Sequence, residues 1–271
     1  MSADIETVIE FLVELYNKQL SYSSLNTARS ALSSIITIDN FKVGEHPLVV
    51  RFMKGVFNRR PALPKHSHVW DTDDVLRKLK LISPAHQLTL KQLTLKLVLL
   101  LAIITGQRVQ TLHFLNLDYM QKTDNCYIFQ INDAIKTTRP GKHIAPIKLF
   151  KFTESPSLCI YLYLTEYIDR TKPLRGSENR LLIKFMKPYT AVCKQTLSRW
   201  IRFQLKICGV DVNKYTAHST RSASTSKVSK FLPIEHILQA ANWSNESTFA
   251  RFYKKDINED NLFANTLLKG I

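Results

Sequence analysis

The chain has 271 residues and 38 Lys plus Arg against 22 Asp plus Glu, a net charge of +16. With 45% apolar residues it can bury a sizeable core, which argues against general disorder, and the cation excess points to a polyanion as partner, nucleic acid first. Cys126, Cys159, Cys193 and Cys208 lie far apart, with no CxxC pair, so neither a zinc site nor a disulfide framework is suggested.

The start Met1-Ser2-Ala3-Asp4 is acidic and has no signal-peptide pattern, and the apolar run Leu97–Ile104 falls far short of the roughly 20 residues of a membrane span. A soluble, intracellular protein is expected. Ile5, Val8, Ile9, Leu12, Leu15 and Tyr16 recur at three- and four-residue spacing and predict a first amphipathic helix. The Tyr22–Asn26 stretch opens a second helix, with Leu25, Ala28, Ala31, Leu32 and Ile35 on one face. A third helix starts near Pro47 and ends at Asn58-Arg59-Arg60-Pro61.

Prolines at 61 and 64 disfavour helix, so 61–65 reads as a linker between a domain of residues 1–60 and a domain of residues 66–271. Asp71, Asp73 and Asp74 suit the first turn of the next helix, where carboxylates meet the positive end of the dipole. Lys91–Thr105 predicts a strongly apolar central helix. Strands are expected over 126–131 and 143–149, joined through Thr138-Arg139-Pro140-Gly141. Helices follow over 157–169, 190–207, 219–230, 233–242 and 247–255. The chain is therefore mainly α, with one small antiparallel sheet.

Four stretches carry chemistry. Arg108 follows Thr105-Gly106-Gln107, where a glycine ends the apolar helix and releases the arginine at its edge. A guanidinium matches phosphate oxygens in a planar pair of hydrogen bonds; the plainer reading is an arginine that caps helix carbonyls or pairs with an acid. Lys136 and Lys142 flank the hairpin turn with Arg139 between them. An ammonium there could protonate a departing alkoxide, or simply be a solvated turn lysine.

His218 and Arg221 sit three apart at a helix start, one able to exchange a proton and the other to share phosphate charge. Trp243 precedes Tyr253 by ten residues. By its spacing from Phe249, Tyr253 suits a core aromatic. As a nucleophile its phenol, with a free pKa of about 10, would need concentrated positive charge nearby.

The order Arg, hairpin Lys, His-x-x-Arg, Trp, Tyr resembles the tyrosine recombinase (phage integrase-like) family, and the stretches at 105–112 and 242–253 are most similar to recombinases of eukaryotic DIRS-like and Crypton-like mobile elements. The likeness covers almost the whole chain. It implies an N-terminal helical core-binding domain at 1–60, including Arg29 in Arg29-Ser30-Ala31-Leu32-Ser33, and a catalytic domain at 66–271.

By the same resemblance, Tyr253 would attack the scissile phosphorus to form a 3′-phosphotyrosyl link, and Arg108 and Arg221 would hold the non-bridging oxygens. Lys136 would protonate the leaving 5′ oxygen, His218 would assist proton transfer and Trp243 would bond the phosphate. The basic helix bearing Arg199, Arg202 and Lys206 would lie on DNA, as would Arg29, Arg139 and Lys142; on helical geometry alone, Arg199, Arg202 and Lys206 equally form a solvated face. No metal, ATP or other cofactor is implied. The implied partners are double-stranded DNA and three further copies in a tetramer on two duplexes, and the implied location is the nucleus.

Two departures from the family pattern stand out. Thr111 takes the place of an acid common three residues after the first arginine, and the Trp–Tyr gap is ten residues where nine is usual. Two other readings fit the same residues: a mobile-element-derived DNA-binding protein that no longer cuts, and a type IB topoisomerase-like relaxer.

Overall fold

The structure, a computed structural model, describes residues 4–61, 68–135, 138, 144–241, 246 and 249. Most of the expected linker, the first residue of the second expected strand and helix 247–255 (Phe249 apart) lie outside the described residues, as do the site candidates Lys136, Arg139, Lys142, Trp243 and Tyr253. The chain divides into two compact units, residues 1–65 and 66–271.

The first unit is a small helical bundle whose helices begin where short polar side chains cap them. Asp4 accepts from the Thr7 amide at 2.7 Å and starts α1 (Ile5–Asn17). Ser21 does the same for α2 (Tyr22–Ser33), and His46 with Pro47 opens α3 (Pro47–Arg59). Val8, Leu12, Leu25, Val49, Met53 and Val56 from the three helices meet in one apolar core with Val43.

Helix α2 stops short of Ile35, which is 81% exposed instead of sharing the buried face. The chain leaves the helix there to form a hairpin, β1 (Thr37–Ile38) with β2 (Phe41–Lys42), that the sequence reading did not anticipate. Asp39 and Asn40 at its tip have φ of 49° and 64°, the doubly left-handed conformation of a tight hairpin turn. Gly44 follows, packed so closely on α2 that a Cβ there would lie 2.9 Å from the Ser33 side chain.

The second unit is built around α5 (Leu90–Thr105), in which every residue from Leu93 to Ile103 is buried. Such a helix is apolar on all sides because it is surrounded: α7 (Ile160–Thr171), α8 (Lys194–Ile207) and α9 (Ser219–Val228) all pack on it. Thr89 and Gln92 form a reciprocal capping box at its start, and Gly106 closes its end with φ +57°. Lys96, in the middle of this helix, is fully buried. Its ammonium donates to the carbonyls of Ile82 at 2.6 Å and Ser157 at 2.7 Å and lies 3.8 Å from the Tyr163 ring centroid. One side chain thus ties the end of α4 (Thr72–Leu81) and the turn before α7 to the central helix.

A three-stranded antiparallel sheet covers another edge, in the order β3 (Met120–Lys122), β4 (Cys126–Phe129), β5 (Ile147–Phe150). β5 alternates as a half-buried strand should, with Ile147 and Leu149 inside and Lys148 and Phe150 outside. It begins at Ile147, later than expected, since Pro146 has no amide for the ladder. α8 likewise begins at Lys194 and not at 190: the Thr190 carbonyl, which a helix starting there would offer to the Lys194 amide, already accepts from the Lys184 amide at 2.9 Å, and Ala191 bridges to Ile183. α6 (Val109–His113) and α10 (Ile234–Ala241) complete the described helices. None of the described helices is long and apolar enough to cross a membrane.

Candidate active site

The site forms where α5 ends. The left-handed Gly106 turns the chain out of the helix, and Arg108 follows as the extended residue that starts α6. Arg108 is partly exposed, and none of the described residues accepts a hydrogen bond from its guanidinium. Neither carbonyl capping nor an ion pair therefore occupies this arginine among the described residues. Three residues on, Thr111 is buried on α6, in the place where an acid was expected from the family pattern.

Arg221, on the first turn of α9, has the opposite surroundings: it is fully buried. Nη1 donates to the Gly106 carbonyl at 2.8 Å, and Nη2 donates to the carbonyl of Ala241 at the end of α10. Gln107, itself buried, donates to the neighbouring Ala240 carbonyl at 2.7 Å. Helix ends leave their last carbonyls without intrahelical donors. Here the two arginine nitrogens and one amide supply donors to two such ends, α5 and α10. One guanidinium thereby joins three of the four chemical stretches: the turn carrying Arg108, the helix carrying His218 and Arg221, and the residues leading into Trp243.

The hairpin stretch is anchored to the same region by a different pair. Arg180 makes a two-pronged ion pair with Asp133, at 2.7 and 2.9 Å, and donates to the Phe114 carbonyl at the end of α6. The guanidinium hydrogen bond holds the Asp133 carboxyl below the usual carboxylate range. Two residues later, Ile135 and Thr138 close a tight turn through the Thr138 amide to the Ile135 carbonyl at 2.9 Å and the Ile135 amide to Thr138 Oγ1 at 3.0 Å. Lys136 and the expected turn residues 139–141 lie outside the described residues.

His218 is exposed at the start of α9, where its carbonyl accepts from the Arg221 amide at 3.2 Å. The next residue is fixed from far away in sequence. The Trp70 indole donates to Ser219 Oγ at 2.9 Å, and that hydroxyl donates to the Thr216 carbonyl at 2.7 Å. Lys227, near the other end of α9, pairs with Asp73 in the first turn of α4, so both ends of α9 are tied to the segment that opens α4.

The remaining candidates spread over other surfaces. Arg29 is partly buried in the first unit, donating to the Gly44 carbonyl at 2.7 Å and to Asn26 at 3.3 Å, so it ties α2 to the turn before α3. Arg199, Arg202 and Lys206 are exposed along α8. Arg202 donates to the Val212 carbonyl at 2.9 Å and Arg199 to Thr196 Oγ1 at 3.2 Å.

The sequence reading missed Gln107, Arg180 with Asp133, and Trp70 with Ser219. Gln107 lay in plain view between two residues that were singled out. The other pairs had no local signal, since their partners are 47 and 149 residues apart.

No family model and no curated protein matches the sequence. Solved structures do resemble it. A lambda integrase fragment dimer bound to a COC′ core site superposes with a TM-score of 0.56 at 16% identity, covering 95% of this chain and 82% of that one. XerH site-specific recombinase in a pre-cleavage complex with difH substrate gives 0.53 at 13% identity, over 93% of this chain and 71% of that one. XerA recombinase gives 0.52 at 16% identity, over 98% and 82%. The chain has the mostly helical fold, with small antiparallel sheets, of the tyrosine recombinases.

Proposed function

We propose that the protein is a DNA strand transferase that cuts and rejoins DNA through a 3′-phosphotyrosyl intermediate, as a site-specific recombinase or integrase. The observation that carries the reading is the buried Arg221, which draws the Arg108 turn, the His218 helix and the end of α10 into one locus. Tyr253 is the nucleophile in this reading. Arg108, whose donors no described residue uses, holds the phosphate oxygens; the resemblance gives Arg221 the same task, but with Nη1 and Nη2 on the Gly106 and Ala241 carbonyls it contributes its charge and the bracing of the Arg108 turn. Lys136 protonates the leaving 5′ oxygen; His218 assists the proton at the phenol; and Trp243 bonds the phosphate. The phenol's oxygen forms the new P–O bond as the 5′ oxygen departs, and the reverse step restores the backbone, so bond energy is conserved in the protein–DNA link. Pooled positive charge is what makes a phenol of ordinary pKa reactive, because it favours the phenolate and the charge building on phosphorus.

In the same reading, residues 1–60 are the DNA-clamping core-binding domain and residues 66–271 the catalytic domain. Arg29, Arg139, Lys142, Arg199, Arg202 and Lys206 face duplex DNA, and four copies assemble on two duplexes. The solved relatives include a lambda integrase tetramer on a Holliday junction, which supports that assembly. Descent from a DIRS-like or Crypton-like mobile element, and hence work in a nucleus, rests on the two motif stretches quoted above.

The test is a covalent trap. The chain is incubated with a nicked suicide duplex and run in SDS; a DNA-linked band that disappears in Tyr253→Phe is expected. Stable DNA binding with no adduct on any duplex would sink the enzyme and leave a non-cutting DNA-binding protein, which the buried Thr111 in place of an acid favours. Relaxation of supercoiled plasmid by a monomer without recombinant products would point to the topoisomerase-like reading.

A further inference from the structure

Residues 181–210 hold six lysines and arginines and no acid, and this stretch also exposes apolar rings, which phosphate contacts do not need. Phe185 and Trp200 stack with centroids 4.9 Å apart and planes at 29°. Phe203, one turn further along α8, is 47% exposed. The Lys91 ammonium stands 6.0 Å from the centroids of both Phe185 and Phe203. With Leu95 as part of the floor and Arg199 on the rim, these side chains line a groove of about 470 Å³, and among the described residues no carboxylate lines it.

We infer that this groove takes an unpaired nucleobase from DNA lying along α8. A paired duplex offers cations its phosphates but keeps its base faces stacked inside. An unstacked base offers a flat π-face to Phe203 and the Phe185–Trp200 pair, and its own phosphate to Lys91 and Arg199. Aromatic platforms flanked by cations hold single-stranded nucleic acid by this combination. An acidic peptide with an aromatic residue has related chemistry. The nucleic acid is favoured because the cations continue from the groove: Arg199, Arg202 and Lys206 extend over about 10 Å of helix, a row suited to a backbone charged at every nucleotide.

This inference rests on the proposal that α8 faces DNA, and it requires no cleavage. Affinities of the 271-residue Tyr253→Phe protein are measured at one fixed salt concentration, by fluorescence anisotropy, for a paired duplex and for the same duplex with one unpaired adenine. The interrupted duplex is expected to bind at least about fivefold more tightly. Phe203→Ala removes that preference while leaving the paired duplex within about twofold, and Phe203→Tyr, which keeps the ring, retains it. Equal affinities for the two duplexes, or equal losses on both in Phe203→Ala, overturn the groove and leave the DNA-binding reading of α8 standing. Failure to bind either duplex overturns both. A nucleotide preference untouched by Phe203→Ala, with loss of binding to a glutamate- and tyrosine-rich peptide, overturns the groove and marks a protein-binding face.

Discussion

Replacing each arginine of the site by lysine should separate two guanidinium groups that look alike in sequence. Lysine keeps the charge but offers one nitrogen where arginine offers two forked ones. Arg221 uses both: one on the Gly106 carbonyl, the other on that of Ala241, in a site with no solvent access. In Arg221→Lys one of those charge-assisted bonds is lost, at about 1.5–3 kcal/mol, and a buried carbonyl is left short of a donor, at about 1–3 kcal/mol. The two costs overlap, so a net loss of about 3 kcal/mol is expected. No described residue accepts from Arg108, so Arg108→Lys should stay within about 0.5 kcal/mol of the wild type. The assay is urea unfolding followed by tryptophan fluorescence. Trp70, Trp200 and Trp243 all belong to residues 66–271, so the signal reports on the unit that holds both arginines. At a slope of about 2–3 kcal/mol per molar urea, Arg221→Lys should lower the midpoint by about 1 M. Midpoints for the two variants that coincide, whatever their effect on adduct formation, would refute the idea that Arg221 braces the fold while Arg108 does not.

Trp70→Phe and Ser219→Ala each remove one partner of the bond that steadies the residue after His218. Each should slow adduct formation, and the double variant should be no slower than the worse single one, whereas Ser219→Thr, which keeps the hydroxyl, should recover the rate; strictly additive losses would show that the two residues act separately. Lys96 makes a pH prediction. Burial pushes its folded pKa down from 10.5 to about 7, while the two carbonyls and the Tyr163 ring favour its charged form. With the folded pKa the lower one, the unfolded chain binds more protons between about pH 7 and 10.5, so stability rises with pH through that window and levels off above it. The gain from pH 7 to 9 should be roughly 2 kcal/mol, from about 1.4 kcal/mol per unit at full slope. Lys96→Met should flatten this rise, and an unchanged rise in that variant would mean that another group is responsible.

Legibility from sequence depended on how local the cause was. α1, α3 and α5 could be placed because their caps and apolar periods lie within a few residues of one another, as with Asp4 and Thr7 or Thr89 and Gln92. α8 was expected too early because its N-terminal boundary is set by another segment: the Lys184 amide takes the Thr190 carbonyl, and Ile183 bridges to Ala191. The β1–β2 hairpin was missed because its strands have two residues each, too few to show an alternating pattern. The apolar reading of α5 passed over Lys96, whose burial is tolerable only because carbonyls from two other segments converge on it.

Local chemistry in the sequence thus determined which residue types the site would hold, and in what order, because a glycine that ends a helix or an arginine that precedes one declares itself within a few positions. For Arg108 and Arg221, tertiary structure alone decided the surroundings. Arg108 and Arg221 have the same side chain. One is left with its donors unused by any described residue and the other is spent on the ends of α5 and α10, because the carbonyls that claim the second are 115 and 20 residues away along the chain. Hydrogen bonds are satisfied by neighbours in space, and sequence spacing carries no record of them at such separations.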